Sequence, residues 1–400
     1  MRTNRADLTI AAACCAAIGS YDALYVFLLL VGAPHFWPPV HALFPDFLVF
    51  HGAARAWLAG KAALVYDINA FTRFQNALYL DRFGGEADFR PFFYPPTWML
   101  MLLPFGWLAA GKAYGAFMAI TAAAATALVG WRDKWIWLAV ATSPAAVWVV
   151  VAGQNTFLSV ALFYGGMRLL DRSPALAGIL LGLMTYKPQL WILVPVGLLA
   201  ARQWRALLAM ALTVAAAGLI GLGVLGIDCW RAFLTSSQAA SGNVVADAMY
   251  EHFYTQMVTL FAMARGWGLP TNIANLIQLG GAALSGVAVW SVFRAFGPSP
   301  TRTAFLAAVT FLVSPYTMNY DLLLLMPAVV TLFRIGAAEG FYPGERILHV
   351  ILWLMPTFGL ALNRLDVPIM PLFVLLAAAL AWARLQAAAK VELPEAAGAR

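Results

Sequence analysis

Long apolar runs alternate with short polar connections over most of the chain. The runs cover approximately 8–33, 95–130, 135–152, 155–171, 174–186, 189–201, 205–227, 270–293, 302–315, 319–335, 345–362 and 366–386. Several reach or pass the roughly 20 residues that carry a helix across a bilayer, which predicts an all-α, polytopic membrane protein of about 12 spans. Residues 1–390 read as one integral membrane domain and 391–400 as a short cytoplasmic tail. The run at 8–33 is long enough to be an uncleaved first span rather than a signal peptide. The run at 95–130 is broken near Pro104 and Gly111 and reads as one interrupted crossing. The runs at 174–186 and 189–201 are shorter than a normal span, and irregular backbone at membrane depth is tolerated only where it lines protein or a water-filled cavity. The turn at Lys187 between them is therefore expected to dip into such a cavity.

The connections sort into two sets. Arg132 with Lys134, Arg168 with Arg172, Arg202 with Arg205, Arg294 with Arg302, and Arg334 with Arg346 occupy alternate connections, as cytoplasmic loops do. The others hold Gly153-Gln154-Asn155, Tyr186-Lys187-Pro188-Gln189, residues 228–269, Ser314 to Asp321, and Asn363 to Asp366. They share the far side with the long polar region at 34–95, so a functional face is expected there. Within 34–95, residues 46–59 place Phe47, Phe50, Ala54, Trp57 and Leu58 at helical spacing, and residues 68–82 do so with Ile68, Phe71, Phe74 and Leu78. Both read as amphipathic helices lying at the membrane surface, or as caps on the bundle that touch no substrate.

Composition agrees with the pattern. Hydrophobic residues make up 62% of the 400 and charged residues 11%, and the mean hydropathy is +0.78. Soluble domains average about 45–50% and 25%, so a cytosolic enzyme, a secreted disulfide scaffold and a nucleic-acid-binding domain are excluded. The net charge of +7 follows from basic cytoplasmic loops and needs no anionic partner. Cys14, Cys15 and Cys229 offer neither a metal spacing nor an evident disulfide, and His35, His41 and His51 are not spaced as a helical ligand pair. With no phosphate-binding glycine loop either, neither metal nor cofactor is expected.

A few polar residues need a reason. Asp46 follows Pro45 at the start of the first amphipathic helix, where its carboxylate serves either as an N-cap or as a general base at the membrane surface. Asp67 opens the second helix and is better read as a cap. Lys187 stands between apolar runs and costs about 2.5–3.5 kcal/mol at membrane depth unless paired or hydrated. It either snorkels to the interface or presents a point charge to a phosphate, with the amides of Gln154 and Asn155 beside it. Asp22, within the first span, is a functional candidate by position. Asp321 follows Asn319 and Tyr320 at the mouth of a span and is either a cap or an acidic contact to a polar ligand. His51 and Arg55, one turn apart, join Asp67 and His252 as candidates for acceptor or interface contacts.

The ordered motifs are Pro45-Asp46-Phe47; Ala53-Ala54-Arg55-Ala56 with Gly60, Leu64 and Tyr66-Asp67; Phe93-Tyr94-Pro95-Pro96 with Leu103-Pro104-Phe105; Gly153-Gln154-Asn155; Ala177-Gly178 through Gly182 to Lys187-Pro188-Gln189; and Ser314-Pro315-Tyr316 to Tyr320-Asp321. Their succession over most of residues 1–335 resembles the glycosyltransferase family 87 membrane proteins, which include polyprenyl-phosphate-mannose-dependent α-mannosyltransferases of bacterial envelopes. The resemblance implies a GT-C-type helical bundle in the bacterial plasma membrane, with an outward-facing site. It also implies a polyprenyl-phosphate sugar donor, a lipid or glycan acceptor and no nucleotide sugar. The family's catalytic base maps onto Asp46. Its donor-binding positions map onto Lys187, Gln154 and Asn155, with Tyr94, Tyr320 and Asp321 beside them. Some relatives carry a histidine near the Ser-Pro motif, where this chain reads Tyr316-Thr317-Met318-Asn319-Tyr320-Asp321.

The implied chemistry is a single inverting displacement, for which a carboxylate ionised at neutral pH suffices without a raised pKa. The competing reading is a transporter or flippase of lipid-linked sugars. Such proteins show internal repeats with broken helices in matching halves, and no such symmetry is evident. A non-catalytic scaffold would not need Asp46 and Lys187 on one side.

Overall fold

The computed structural model describes residues 44–398 apart from 84–85, 87–88, 131–132 and 241–242. The expected first span, with Asp22, Cys14 and Cys15, lies outside the described residues, as do His35 and His41. Among the described residues every named element is helical, and the extended backbone includes one isolated antiparallel bridge, Met257 to Met318. Five helices are long and apolar enough to cross a membrane: Ala110–Val129, Trp204–Leu225, Thr271–Ala295, Glu345–Arg364 and Met370–Lys390. Three shorter apolar helices accompany them, Thr156–Leu169, Pro174–Tyr186 and Pro188–Ala200.

Several runs expected as single spans fold as two short pieces, and proline explains the difference. It lacks an N–H and its ring clashes with the preceding turn, so a run continuous in hydropathy is readily divided at one, although Glu345–Arg364 continues through Pro356. The run at 135–152 divides into Lys134–Ala141 and Pro144–Ala152, the second capped by the Ser143 hydroxyl, which accepts from Ala146 N–H. The run at 319–335 becomes a 3₁₀ turn, Asn319–Leu324, followed by Met326–Glu339, with Pro327 in its first turn. The interrupted crossing expected over 95–130 is resolved in the same way. Pro96–Leu102 and a 3₁₀ turn, Leu103–Trp107, form one short piece, and Ala110–Val129 is long enough to cross by itself. The last helix runs from Met370 to Gly398, through most of the residues expected as a tail.

The helix Pro45–Leu58 is buried nearly all round, contrary to its expected place at the membrane surface. Phe47, Leu48, Phe50, His51, Gly52, Ala53, Ala54 and Ala56 are covered, and Ala54 lies so close to Gly106 that a β-carbon there would sit 3.0 Å from it. Alanines and glycines between the aromatics let neighbouring helices close in on the face that hydropathy alone assigned to water. The second helix, Ile68–Phe83, has non-helical backbone at Tyr79. It buries Phe71, Thr72, Gln75 and Tyr79 and leaves Leu78 39% exposed, so its inner face is rotated from the one predicted. The second polar region, 228–269, is itself largely helical: Ile227–Ala240, Asn243–Phe253, Tyr254–Gln256 and Leu260–Gly266.

Helix Pro174–Leu183 meets Trp204–Leu225 at backbone level. A β-carbon on Gly178 would lie 2.2 Å from the Ala206 carbonyl oxygen, and one on Gly182 would lie 2.8 Å from Thr213 Cβ. Small residues four apart allow this approach, a common device for pairing membrane helices. It fixes the helix whose far end carries Lys187.

Candidate functional site

The described helices enclose a cavity of about 520 Å³ whose polar wall includes Asp46, Arg90, Tyr94, Gln154, Lys187 and Asp321. Its aromatic wall comes from Phe50, Phe89, Phe93, Phe253, Tyr316 and Tyr320. Residues far apart in sequence converge here because short helices end at it.

Asp46 is in the first turn of its helix but does not cap it. The preceding residue, Phe44, is in the left-handed region with φ 48°, and no side chain caps that end. The Asp46 carboxylate turns instead to the Gly153-Gln154-Asn155 connection, where Gln154 Nε2 donates to its Oδ2 at 2.7 Å. Gly153 makes the approach possible. Its φ is +76°, and a β-carbon there would stand 2.5 Å from Phe47 Cβ and 2.9 Å from Phe44 Cβ. Phe44 N–H donates to Val151 C=O at 2.8 Å, which ties the two segments together. Protein crowds the carboxylate, and that desolvation pushes its pKa above the ordinary carboxylate value. The Gln154 hydrogen bond and the charges of Arg90 and Lys187 oppose the rise, while Asp321 adds to it. A raised pKa was not expected from sequence.

Lys187 and Asp321 form the other half of the wall. Lys187 Nζ donates to Asp321 Oδ1 at 2.5 Å and to Asn155 Oδ1 at 3.0 Å, and both charged residues are 1% exposed. Asp321 also accepts from Met318 N–H at 3.2 Å and from the Thr156 hydroxyl at 3.3 Å. It therefore both caps its 3₁₀ turn and answers the lysine charge. Lys187 is matched at close range by this carboxylate, and its Nζ lies 5.5 Å from the centre of the Tyr320 ring. Beneath it, Tyr186 stacks on Trp98 with centroids 4.6 Å apart and bonds Ser159 at 2.8 Å.

The remaining candidates separate. His252 lines the cavity, holds Ala248 C=O through Nδ1 at 2.8 Å and packs on Phe89 at 4.5 Å. His51 is on a different face, between Tyr79 OH at 2.6 Å and Leu108 C=O at 3.0 Å. Exposed Arg55 reaches Gly106 C=O at 3.4 Å. Asp67 Oδ1 accepts Ala70 N–H at 2.9 Å, the contact of a helix cap. None of these last three is among the residues lining the cavity.

Arg90 is a cavity residue that the sequence reading did not single out. Its backbone is pinned from both sides by buried side chains of one helix: Gln75 Nε2 donates to its carbonyl at 2.9 Å, and its N–H donates to the Thr72 hydroxyl at 3.1 Å. The sequence signal was a lone cation before the Pro91-Phe92-Phe93-Tyr94-Pro95-Pro96 run, in a loop already expected to face the site.

Bundle and cavity together define a multi-pass membrane protein with a polar, aromatic-walled site between helix ends. The profile of glycosyltransferase family 87 matches residues 92–315, more than half of the chain, and the protein belongs to that family. It is a membrane glycosyltransferase. No curated protein and no solved structure gives a significant match.

Proposed function

We propose that the protein transfers a hexose from a polyprenyl-phosphate donor to a hydroxyl of a lipid or glycan acceptor, with inversion, and that Asp46 is the general base. Mannose is the sugar expected from the family resemblance. The observation that carries the reading is a carboxylate opening on a cavity of about 520 Å³ with its other contact satisfied by a neutral amide. In the step, the acceptor oxygen bonds to the sugar's anomeric carbon as the bond from that carbon to the phosphate oxygen breaks. The polyprenyl phosphate leaves with the electron pair, and the acceptor proton passes to Asp46. Arg90 and Lys187 border the same space and would oppose the charge that develops on the departing phosphate, an interaction that strengthens where water is excluded. Tyr320 and His252 supply flat faces and hydrogen-bonding edges suited to sugar rings.

The distribution of arginines supports an outward-facing site in a bacterial plasma membrane. Connections with Arg168, Arg172, Arg202, Arg205, Arg334 and Arg346 alternate along the chain with those that line the cavity. The test is transfer from radiolabelled polyprenyl-phosphate hexoses by purified protein, comparing wild type with Asp46→Asn. Loss of transfer from a correctly folded variant is expected; undiminished transfer overturns the base assignment. Failure of every polyprenyl-phosphate hexose to serve as donor for the wild type overturns the donor class.

A further inference from the structure

Gln154 has its orientation set by a neighbour that can only donate, the Asn155 backbone N–H. Its Oε1 accepts from the Tyr94 hydroxyl at 3.2 Å and from Asn155 N–H at 3.4 Å, and its Nε2 donates to Asp46 at 2.7 Å. A backbone N–H can only donate, so the amide edge it meets must be the oxygen. The opposite edge, facing Asp46, is then the NH₂. An ionised carboxylate can only accept, so this direction matches Asp46 as a base. Rotated by half a turn, the same amide would set its oxygen against Asp46 and favour the protonated acid, which cannot take a proton.

The direction of one amide thus decides the working form of the base. Asn155 N–H sets the direction from 3.4 Å, and the Tyr94 hydroxyl, which meets the same oxygen at 3.2 Å and so donates to it, is the contact held by its own framework. The Tyr94 ring stands edge-on to Phe50 at 5.1 Å and 89° and packs on Phe92 and Trp98, each at 5.8 Å. Its carbonyl accepts from the Tyr66 hydroxyl at 3.0 Å. Burial, with the negative charges of Asp321 and Asp46, holds the Tyr94 hydroxyl well above its usual pKa, so it remains a donor throughout the neutral range.

We propose that Tyr94 is a positioning residue: by donating to Gln154 Oε1 it locks the amide with NH₂ toward Asp46 and so keeps the base ionised and aimed. This rests on the reading of Asp46 as the base, and it replaces the expectation that Tyr94 and Gln154 bind the donor directly.

The test has two readouts. In infrared titration of the detergent-purified protein, with Asp46→Asn identifying the Asp46 signal, the C=O stretch of the protonated carboxyl reports its pKa without any substrate. Tyr94→Phe is expected to move that midpoint up by about one pH unit, because the charged form loses an ordered donor. Gln154→Glu is expected to move it further up, since two carboxyl groups then share one proton. In transfer assays, Tyr94→Phe is expected to shift the acid limb of kcat upward by the same amount, with donor KM little changed and the rate recovering at higher pH. An unmoved midpoint in Tyr94→Phe overturns the proposal, as does a Tyr94→Phe that raises donor KM at every pH with its acid limb in place. If the midpoint moves while Asp46→Asn still transfers sugar, the base reading fails and the positioning of the carboxylate stands. Should Tyr94→Phe not accumulate as folded protein, Tyr94→Leu, which also removes the hydroxyl, is titrated in its place with the same two outcomes.

Discussion

Two aspartates share one cavity and have little else in common. Asp321 is 1% exposed, pressed against Lys187 and further held by Met318 N–H and the Thr156 hydroxyl. Asp46 opens on the cavity and has a neutral amide as its close partner, with Arg90 and Lys187 acting through their fields. A carboxylate neutralised by a contacting ammonium is a poor proton acceptor and a good structural tie. One held by an amide, in a setting that raises its pKa, keeps an affinity for protons. The type of partner, more than burial or residue type, divides the anchor from the proposed base.

The contrast is broken most directly by removing each charge in turn. Asp46→Asn is expected to lower transfer by about 10²–10⁴-fold, the usual contribution of a positioned base, with the thermal unfolding midpoint in micelles preserved. Asp321→Asn should do the reverse. It leaves the buried lysine without its counter-charge, at a cost of about 3–5 kcal/mol, seen as a lower unfolding midpoint while the folded fraction retains transfer. If both variants lose activity at full stability, the division between the aspartates is wrong.

A finer probe is pH. A base works when ionised, so activity falls as pH drops through its folded pKa, and burial places that point above the roughly 3.9 of a free aspartate. Arg90→Gln removes a cation that favours the ionised form, and the acid limb of the kcat profile should move further up; a downward shift would contradict the field attributed to Arg90. The smallest effect belongs to Asp67→Ala. Loss of the cap on Ile68–Phe83 should cost about 1 kcal/mol in unfolding measurements and leave the pH profile where it was.

The cavity's two aspartates also show what the sequence made legible. Asp46, Gln154, Lys187 and Asp321 stood out because polar residues beside long apolar runs need a reason. Their partners did not: the Gln154 contact spans 108 positions and the Lys187 pair 134, and no local periodicity encodes contacts at that range. The helix Pro45–Leu58 was placed at the membrane surface because its pattern has a polar side, of which the fold buries His51 against Tyr79 and Leu108 and leaves Arg55 exposed. Hydropathy outlined whole helices in runs such as Trp204–Leu225, and could not show where proline or a 3₁₀ turn divides a run into shorter pieces.

The glycine contact between Pro174–Leu183 and Trp204–Leu225 has a mechanical consequence. Among the described residues only 11% of the latter's apolar window is buried, which leaves a broad apolar surface suited to lipid. Side chains between two helices act as a cushion, since rotamers can yield when one helix shifts; at Gly178 and Gly182 the backbones meet with no such layer. A tilt of Trp204–Leu225 to match the thickness of its bilayer is therefore expected to be passed directly to the helix that leads to the Lys187 turn.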